Sequence, residues 1–337
     1  MTLPRSPTMQ DVAAEAGVSR ALVSIVFRNQ PGASAETRGR VLTVANRLGY
    51  RPDHRAQLLG RKRTGLLGVV FSLRHTFHGD LVESLYAAAE PAGFEVALSA
   101  VVPHRDERLA IEALQSYRCE ALILLGPELV EDELLALADA VPIVIVARSL
   151  SYRALALHQV GVVRSDDAHG AAAAVDHLRS LGHTNIWHVD GGRAPGAAER
   201  RRGYRTAMRR ARLSAHVLPG GLTEERGASA AEKLLAEPQR PSAVTVFNDR
   251  SAVGLIDTLR RTGVHTPQDL SVIGYDDDRV AQLPSVDLTT MRQDSTQLAA
   301  AAMAQAVAHL NGEPCRETVI PPTLVLRGTA AKAVEVG

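Results

Sequence analysis

No run in the 337-residue sequence approaches the roughly 20 consecutive apolar residues that a membrane span requires. The opening MTLPRSPTMQDVAAEAG has neither the apolar stretch nor the small-residue cleavage site of a secretory leader, so the expected location is the cytoplasm. Cysteine is nearly absent: Cys119 and Cys315 have no metal-ligand spacing, which argues against a zinc module or a disulfide scaffold and leaves two thiols in a reducing compartment. Catalytic signatures are missing as well, with no GxxxxGK[ST], no GxSxG and no HExxH. Gly191, Gly192 and Gly196 are spaced wrongly for a dinucleotide fingerprint and read as a loop after a strand. These gaps predict a protein that is not an enzyme and uses no cofactor or metal. The single tryptophan, Trp187, starts a buried strand pattern and is assigned a structural place.

What is present divides unevenly. About 45% of residues are hydrophobic, enough for two or three cores in a chain this long. The overall charge is +1, yet residues 1–63 hold eleven Lys and Arg against four acids, a surplus of +7. The other 274 residues carry 27 bases and 33 acids, or −6. A basic head on an acidic body is the charge pattern of a polyanion-binding module joined to a separate domain. The expected boundary follows residue 63.

Within the head, Thr8-Met9-Gln10-Asp11 fits a capping box, so a helix starts near Met9 and stops at Gly17. Ser19 can cap a second helix from Arg20 to Arg28, with Leu22, Val23, Val26 and Phe27 as its apolar stripe. Ala21, Ser24, Ile25 and Arg28 share another face, with Arg20 beside them. Ser34 can cap a third helix that ends at Gly49. Helix, tight turn, helix and a bracing helix form the arrangement that presents one helix to a major groove.

From Leu66 onward, short apolar runs alternate with amphipathic or Ala-rich segments. Strands are predicted at 66–71, 94–101, 121–126, 143–147, 185–190, 243–247 and 270–275. Helices are predicted at 80–92, 105–117, 131–139, 169–181, 198–210, 226–236, 250–262 and 294–311. Such alternation predicts parallel sheets with helices on both faces, and its length suits two doubly wound lobes. Ligands then belong at the carboxyl ends of the strands, between the lobes.

The motifs DVAAEAGVSRALVS and PGASAETRGRVLTVANRLGYRPD resemble the DNA-binding head of the lactose-repressor (LacI) family over residues 8–63. DDAHGAAAAVDHLRSLGHTNI, RRRGYRTAM, VFNDRSAVGLIDTLRRTG, DLSVIGYDDD, LTTMRQD and PPTLVLRG continue the resemblance in order. The implied fold is an all-α helix-turn-helix head plus an α/β type I periplasmic-binding-protein-like core of two lobes, at 64–337, for effector binding and dimerisation. The implied function is a transcription regulator, a repressor, that binds a pseudo-palindromic operator as a homodimer under control of a sugar or polyol, with a purine as the less favoured ligand. No leucine heptad follows LVLRGTAA, so a dimer is expected and not a tetramer.

Residue by residue, the resemblance gives DNA contacts to Arg20, Ala21, Ser24, Ile25 and Arg28, and makes about 53–60 a hinge helix whose Leu59 wedges into the minor groove. Ile25 stands where the family most often has a base-reading arginine and cannot donate a hydrogen bond; Arg28 stands where asparagine is common. Phe77, His78, Arg200, Asn248 and Asp276 match effector contacts. The plainer readings of these five are core packing for Phe77, a surface place for His78 and Arg200, and capping for Asn248 and Asp276. Leu222 occupies a position where relatives often carry a stacking aromatic. The alternative function, a solute-binding protein of a transporter, shares the core but needs a leader and no basic head.

Overall fold

The computed structural model describes residues 7–51, 63–157 and 159–333. The expected hinge over 53–60, with Leu59, lies outside the described residues. The chain divides into two compact units, Met1–Thr64 and Gly65–Gly337.

Among its described residues the first unit holds three helices, α1 (Met9–Ala16), α2 (Arg20–Phe27) and α3 (Ala35–Leu48). Each has a side-chain cap at its start. Thr8 and Asp11 form the reciprocal capping box, Ser19 accepts from the Leu22 N–H, and Ser34 accepts from the Thr37 N–H. Gly17 and Gly49 close α1 and α3 in the left-handed region, at φ +66° and +67°. Val12, Val23, Val26, Val41 and Val44 meet in one small core.

The second unit contains two six-stranded sheets. The first is built from β1 (Leu66–Ser72), β2 (Glu95–Val101), β3 (Ala121–Leu125), β4 (Ile143–Val146), β5 (Val160–Ser165) and β11 (Glu317–Ile320), in the order β11-β5-β4-β3-β1-β2. All its pairs are parallel. The second contains β6 (Ile186–Asp190), β7 (His216–Pro219), β8 (Ala243–Val246), β9 (Ser271–Asp276), β10 (Thr290–Arg292) and β12 (Thr323–Val325), in the order β12-β10-β9-β8-β6-β7. Only β10 and β12 pair antiparallel there.

Strand periodicity explains why both faces are covered. Val69 of β1 and Ile123 of β3 pack on one side with α4 (Phe77–Ala89) and α12 (Ser295–Leu310). Their neighbours Val70, Leu122 and Leu124 pack on the other with α5 (Glu107–Ser116) and α6 (Glu131–Ala138). A fully buried leucine such as Leu81 stabilises this lobe by about 1.5–3 kcal/mol relative to exposure. A short helix, α7 (Tyr152–Ala156), precedes β5. The second lobe repeats the layering with α8 (Asp167–Ser180) and α9 (Ala197–Arg210) on one face, and α10 (Glu224–Ala236) and α11 (Asp249–Arg261) on the other.

The chain crosses between lobes after β5, after β10 and after β11, as the type I fold requires. Two crossing segments are tied together where Ser165 Oγ donates to Gln293 Oε1 at 2.6 Å. Within the second lobe, helices touch backbone to backbone. A Cβ on Gly227 of α10 would lie 1.8 Å from the Ser251 carbonyl oxygen, and one on Gly254 of α11 would lie 1.9 Å from that of Glu224. Likewise a Cβ on Gly203 of α9 would fall 2.1 Å from the Ala168 carbonyl oxygen on α8. Glycine is required at these close approaches. No described helix is long and apolar enough to cross a membrane.

Candidate functional site

Two candidate surfaces emerge, one in each unit. In the head, Val23 and Val26 turn the inner face of α2 into the core. That leaves Arg20, Ala21 and Arg28 exposed, with Ser24 and Ile25 half-buried. The helix ends at Phe27, one residue short of expectation, so Arg28 becomes its cap and its Nε donates back to the Ser24 carbonyl at 3.3 Å. Ile25 is partly covered by the following turn, since a Cβ on Gly32 would lie 3.8 Å from its side chain.

Sequence reasoning missed Arg38. From α3 its guanidinium donates to the Val26 carbonyl at 3.0 Å, to Asn29 Oδ1 at 3.1 Å and to the Gln30 carbonyl at 2.9 Å. It locks the turn that follows α2. Five donors in a fixed fork suit this task, whereas a lysine could not span three acceptors in that plane.

In the core, a cavity of about 1030 Å³ opens between the lobes at the carboxyl ends of the strands. Its walls come from the loops after β1, β3, β4, β6, β7 and β8. Leu222 is among them, together with three glutamates, Glu128, Glu199 and Glu225, and five arginines, and none of the described lining residues is aromatic. A smaller cavity of about 350 Å³ on the first lobe shares Glu128 and includes Phe71 and His75. Polar links span the lobes. Ser149 Oγ donates to Glu199 Oε1 at 2.6 Å, Arg250 Nη1 donates to the Arg74 carbonyl at 3.0 Å, and Arg279 Nη2 donates to Glu83 Oε2 at 2.6 Å.

None of the five expected effector residues is among those lining the two cavities. Phe77 is buried in the core of the first lobe. His78, also buried, accepts the Ser72 N–H through Nδ1 at 3.1 Å and stacks on His75. Asn248 caps α11, accepting the Ser251 N–H at 2.9 Å while its Nδ2 donates to the Leu222 carbonyl at 3.1 Å. It therefore positions a cavity wall through the backbone.

Arg200 and Asp276 belong to one buried network. Arg200 Nε donates to Asp167 Oδ1 at 2.8 Å, its Nη1 donates to the Phe247 carbonyl at 2.6 Å, and its Nη2 lies 3.5 Å from Asp276 Oδ1. The guanidinium also stacks 3.6 Å from the centroid of the Tyr275 ring. Burial by itself would lower the Arg200 pKa, but Asp167 and Asp276 outweigh it and the net shift is upward, so the residue stays charged. Asp276 accepts from Gln293 Nε2 at 2.7 Å, and burial raises its carboxyl to about 7 against the lowering by Arg200. Its φ of +113° is strained for a residue with a side chain.

This network lies immediately behind the cavity wall. A Cβ on wall residue Gly196 would sit 2.9 Å from Asp167 Oδ2 and 3.6 Å from Arg200 Nε. Through Gln293 and Ser165 it continues to the crossing segments. Chain position located Arg200 correctly on the first turns of α9 but did not reveal that its side chain turns inward. The cavity residues Arg193, Glu199 and Arg226 were missed, although the strand ends that carry their loops were the signal available.

A helix-turn-helix head joined to a two-lobed periplasmic-binding-protein-like core is the build of a ligand-responsive bacterial transcription regulator. Residues 8–53 match the family model for bacterial regulatory proteins of the lacI family, and residues 175–330 match that of the periplasmic binding protein-like domain. The HTH-type transcriptional regulator GalR of Salmonella typhimurium strain SL1344 is 32% identical over 98% of each chain. A LacI transcriptional regulator from a Rhodococcus species is 50% identical, with TM-score 0.77 over 80% of this chain and 99% of that one. The lac repressor dimer bound to operator and the anti-inducer ONPF is 27% identical, with TM-score 0.83 over 97% of this chain and 100% of that one. A CelR–cellobiose complex is 26% identical, with TM-score 0.70 over 96% and 100%. The chain belongs to the LacI family of transcription regulators.

Proposed function

We propose that the protein represses transcription by binding a pseudo-palindromic operator as a homodimer, and that a small polyol-type effector between the lobes of each core controls this binding. The observation that carries the reading is α2, a short helix capped by Ser19 and fixed behind by Arg38, with Arg20 and Ala21 exposed at its start. Arg20 would pair with guanine through two parallel donors, a contact worth about 1–3 kcal/mol of discrimination. Ala21, Ser24 and Ile25 would meet base edges by apolar or short polar contact, Arg28 would meet a phosphate, and Leu59 would enter the minor groove. A relative is known on its operator as a dimer and another in complex with cellobiose, which supports these partners.

For the effector, we propose that the ligand touches the cavity lining and that Arg200, Asp276 and Asn248 act from behind it. They hold the loops that carry Gly196 and Leu222. Phe77 and His78 would serve similarly by setting the start of α4. The effector shifts DNA affinity only by its differential affinity for two lobe orientations. The relatives are transcription regulators, which supports a chain without catalysis of its own.

Titration of promoter fragments from the protein's own locus at several salt concentrations tests the reading. Affinity should fall steeply with salt, as released counterions demand. Arg20→Gln should weaken the best site by about 1–3 kcal/mol while leaving nonspecific binding nearly unchanged. Salt-independent binding, or equal loss on every sequence, would overturn it.

A further inference from the structure

The cavity between the lobes differs from a neutral-sugar site in two respects. Among the described residues no aromatic side chain is in its lining, so none of them stacks on the apolar face of a sugar ring there. It also collects guanidinium groups from separate loops, five arginines against the three glutamates Glu128, Glu199 and Glu225. Arg74 follows β1 on the first lobe, Arg193 follows β6 on the second, and Arg226 lies in the first turn of α10. All three are exposed, and none pairs with a carboxylate among the described residues.

Arg250 is different, because Glu224 holds it in a two-pronged ion pair with contacts of 2.9 and 2.5 Å. Arg148 is also committed in part, donating through Nη1 to the carbonyls of Pro127 and Leu129 at 2.7 and 2.6 Å. The three unpaired groups therefore stand apart. The stem of Arg226 lies against Gly221, where a Cβ would meet its Cγ at 2.8 Å. Two helices start at the same wall with no side-chain cap, α9 at Gly196 and α10 at Thr223, and their first turns carry Glu199 and the pair Glu224 and Glu225, which offset the dipoles there. Glu199, fixed by Ser149, supplies an acceptor for hydroxyl groups.

Resting on the proposed effector reading, we propose that the ligand is an anionic polyol, a carbohydrate-sized molecule whose carboxylate or phosphate is held by Arg74, Arg193 and Arg226. Planar guanidinium groups bind both kinds of oxyanion through paired donors. Hydroxyl groups on the same molecule are then matched by Glu199.

Calorimetric titration of the full chain with matched probes decides the question. Gluconate and glucose 6-phosphate are compared with glucose, and ribose 5-phosphate with ribose. At least one charged probe should bind about tenfold or more tightly than its neutral parent, as expected for charge-assisted hydrogen bonds. A preference for gluconate identifies a carboxylate ligand, and a preference for the phosphates identifies a phosphorylated one. The double variant Arg193→Gln, Arg226→Gln should erase that preference, with its thermal midpoint reporting whether it folds; Arg74→Gln alone should reduce it. Neutral parents binding as well as or better than their charged partners, no binding by any charged probe, or a preference that survives in a folded double variant would each overturn the proposal. A neutral sugar that binds and shifts operator affinity would leave the effector reading standing, whereas ligands that bind without changing operator affinity would sink that reading instead.

Discussion

In the head, the candidate surface comes from nine consecutive residues, Arg20 to Arg28, of one helix and its cap; in the core, the cavity wall is collected from six loops spread over 178 positions, from Leu73 to Arg250. The head gains its order locally, through side-chain caps and a core of a few valines. The core gains its order from parallel pairing between distant segments and from helices that touch at glycines. Local order makes a recognition surface that a single residue can re-specify. Non-local order makes a cavity whose shape depends on residues that never reach it.

The contrast is sharpened most by the substitution with the largest expected effect. Gly227→Val places side-chain atoms where the Ser251 carbonyl already lies and should destabilise the core by about 3 kcal/mol or more. Urea unfolding followed by the fluorescence of Trp187, which lies in the same lobe, checks this. A loss under about 1 kcal/mol would mean that the two helices separate easily and that the contrast is overdrawn. Ser34→Ala should cost the head about 1 kcal/mol by removing the α3 cap, without moving the core transition. A shift of both transitions together would break the distinction between the two units.

The smallest effect is a pH dependence confined to the core. Burial first, then Arg200 and Arg250, hold His75 at about 4, below its ordinary 6.5. Between those values the unfolded chain binds a proton that the folded one refuses. The contribution of His75 is therefore fully present above pH 6.5 and is lost as pH falls toward about 4. His75→Gln should flatten the acid-side decline of the urea midpoint, and an unchanged decline would assign it to other groups.

Legibility followed the same division. The head helices could be read almost to the residue because Thr8, Ser19, Ser34, Gly17 and Gly49 act on their immediate neighbours. The strands with long apolar runs were equally plain. β5, which carries a glycine and an arginine, and β7, β10, β11 and β12, of three or four residues, were not anticipated; their pairing depends on distant partners. For the cavity, motif position identified the right neighbourhood but not the direction of a side chain. Arg200 turns inward because Asp167 waits behind it, a contact spanning 33 residues of sequence that no local pattern reveals.

The glycine contacts in the second lobe have a mechanical meaning. With α10 seated on α11 and α9 on α8 at backbone distance, the loops bearing Arg193, Leu222 and Arg250 are carried by what amounts to a single solid jaw. Such a jaw has little give of its own to absorb a ligand. Whatever work an occupant does is delivered to the three crossings of the chain and the polar links that join the jaws, and so to their angle.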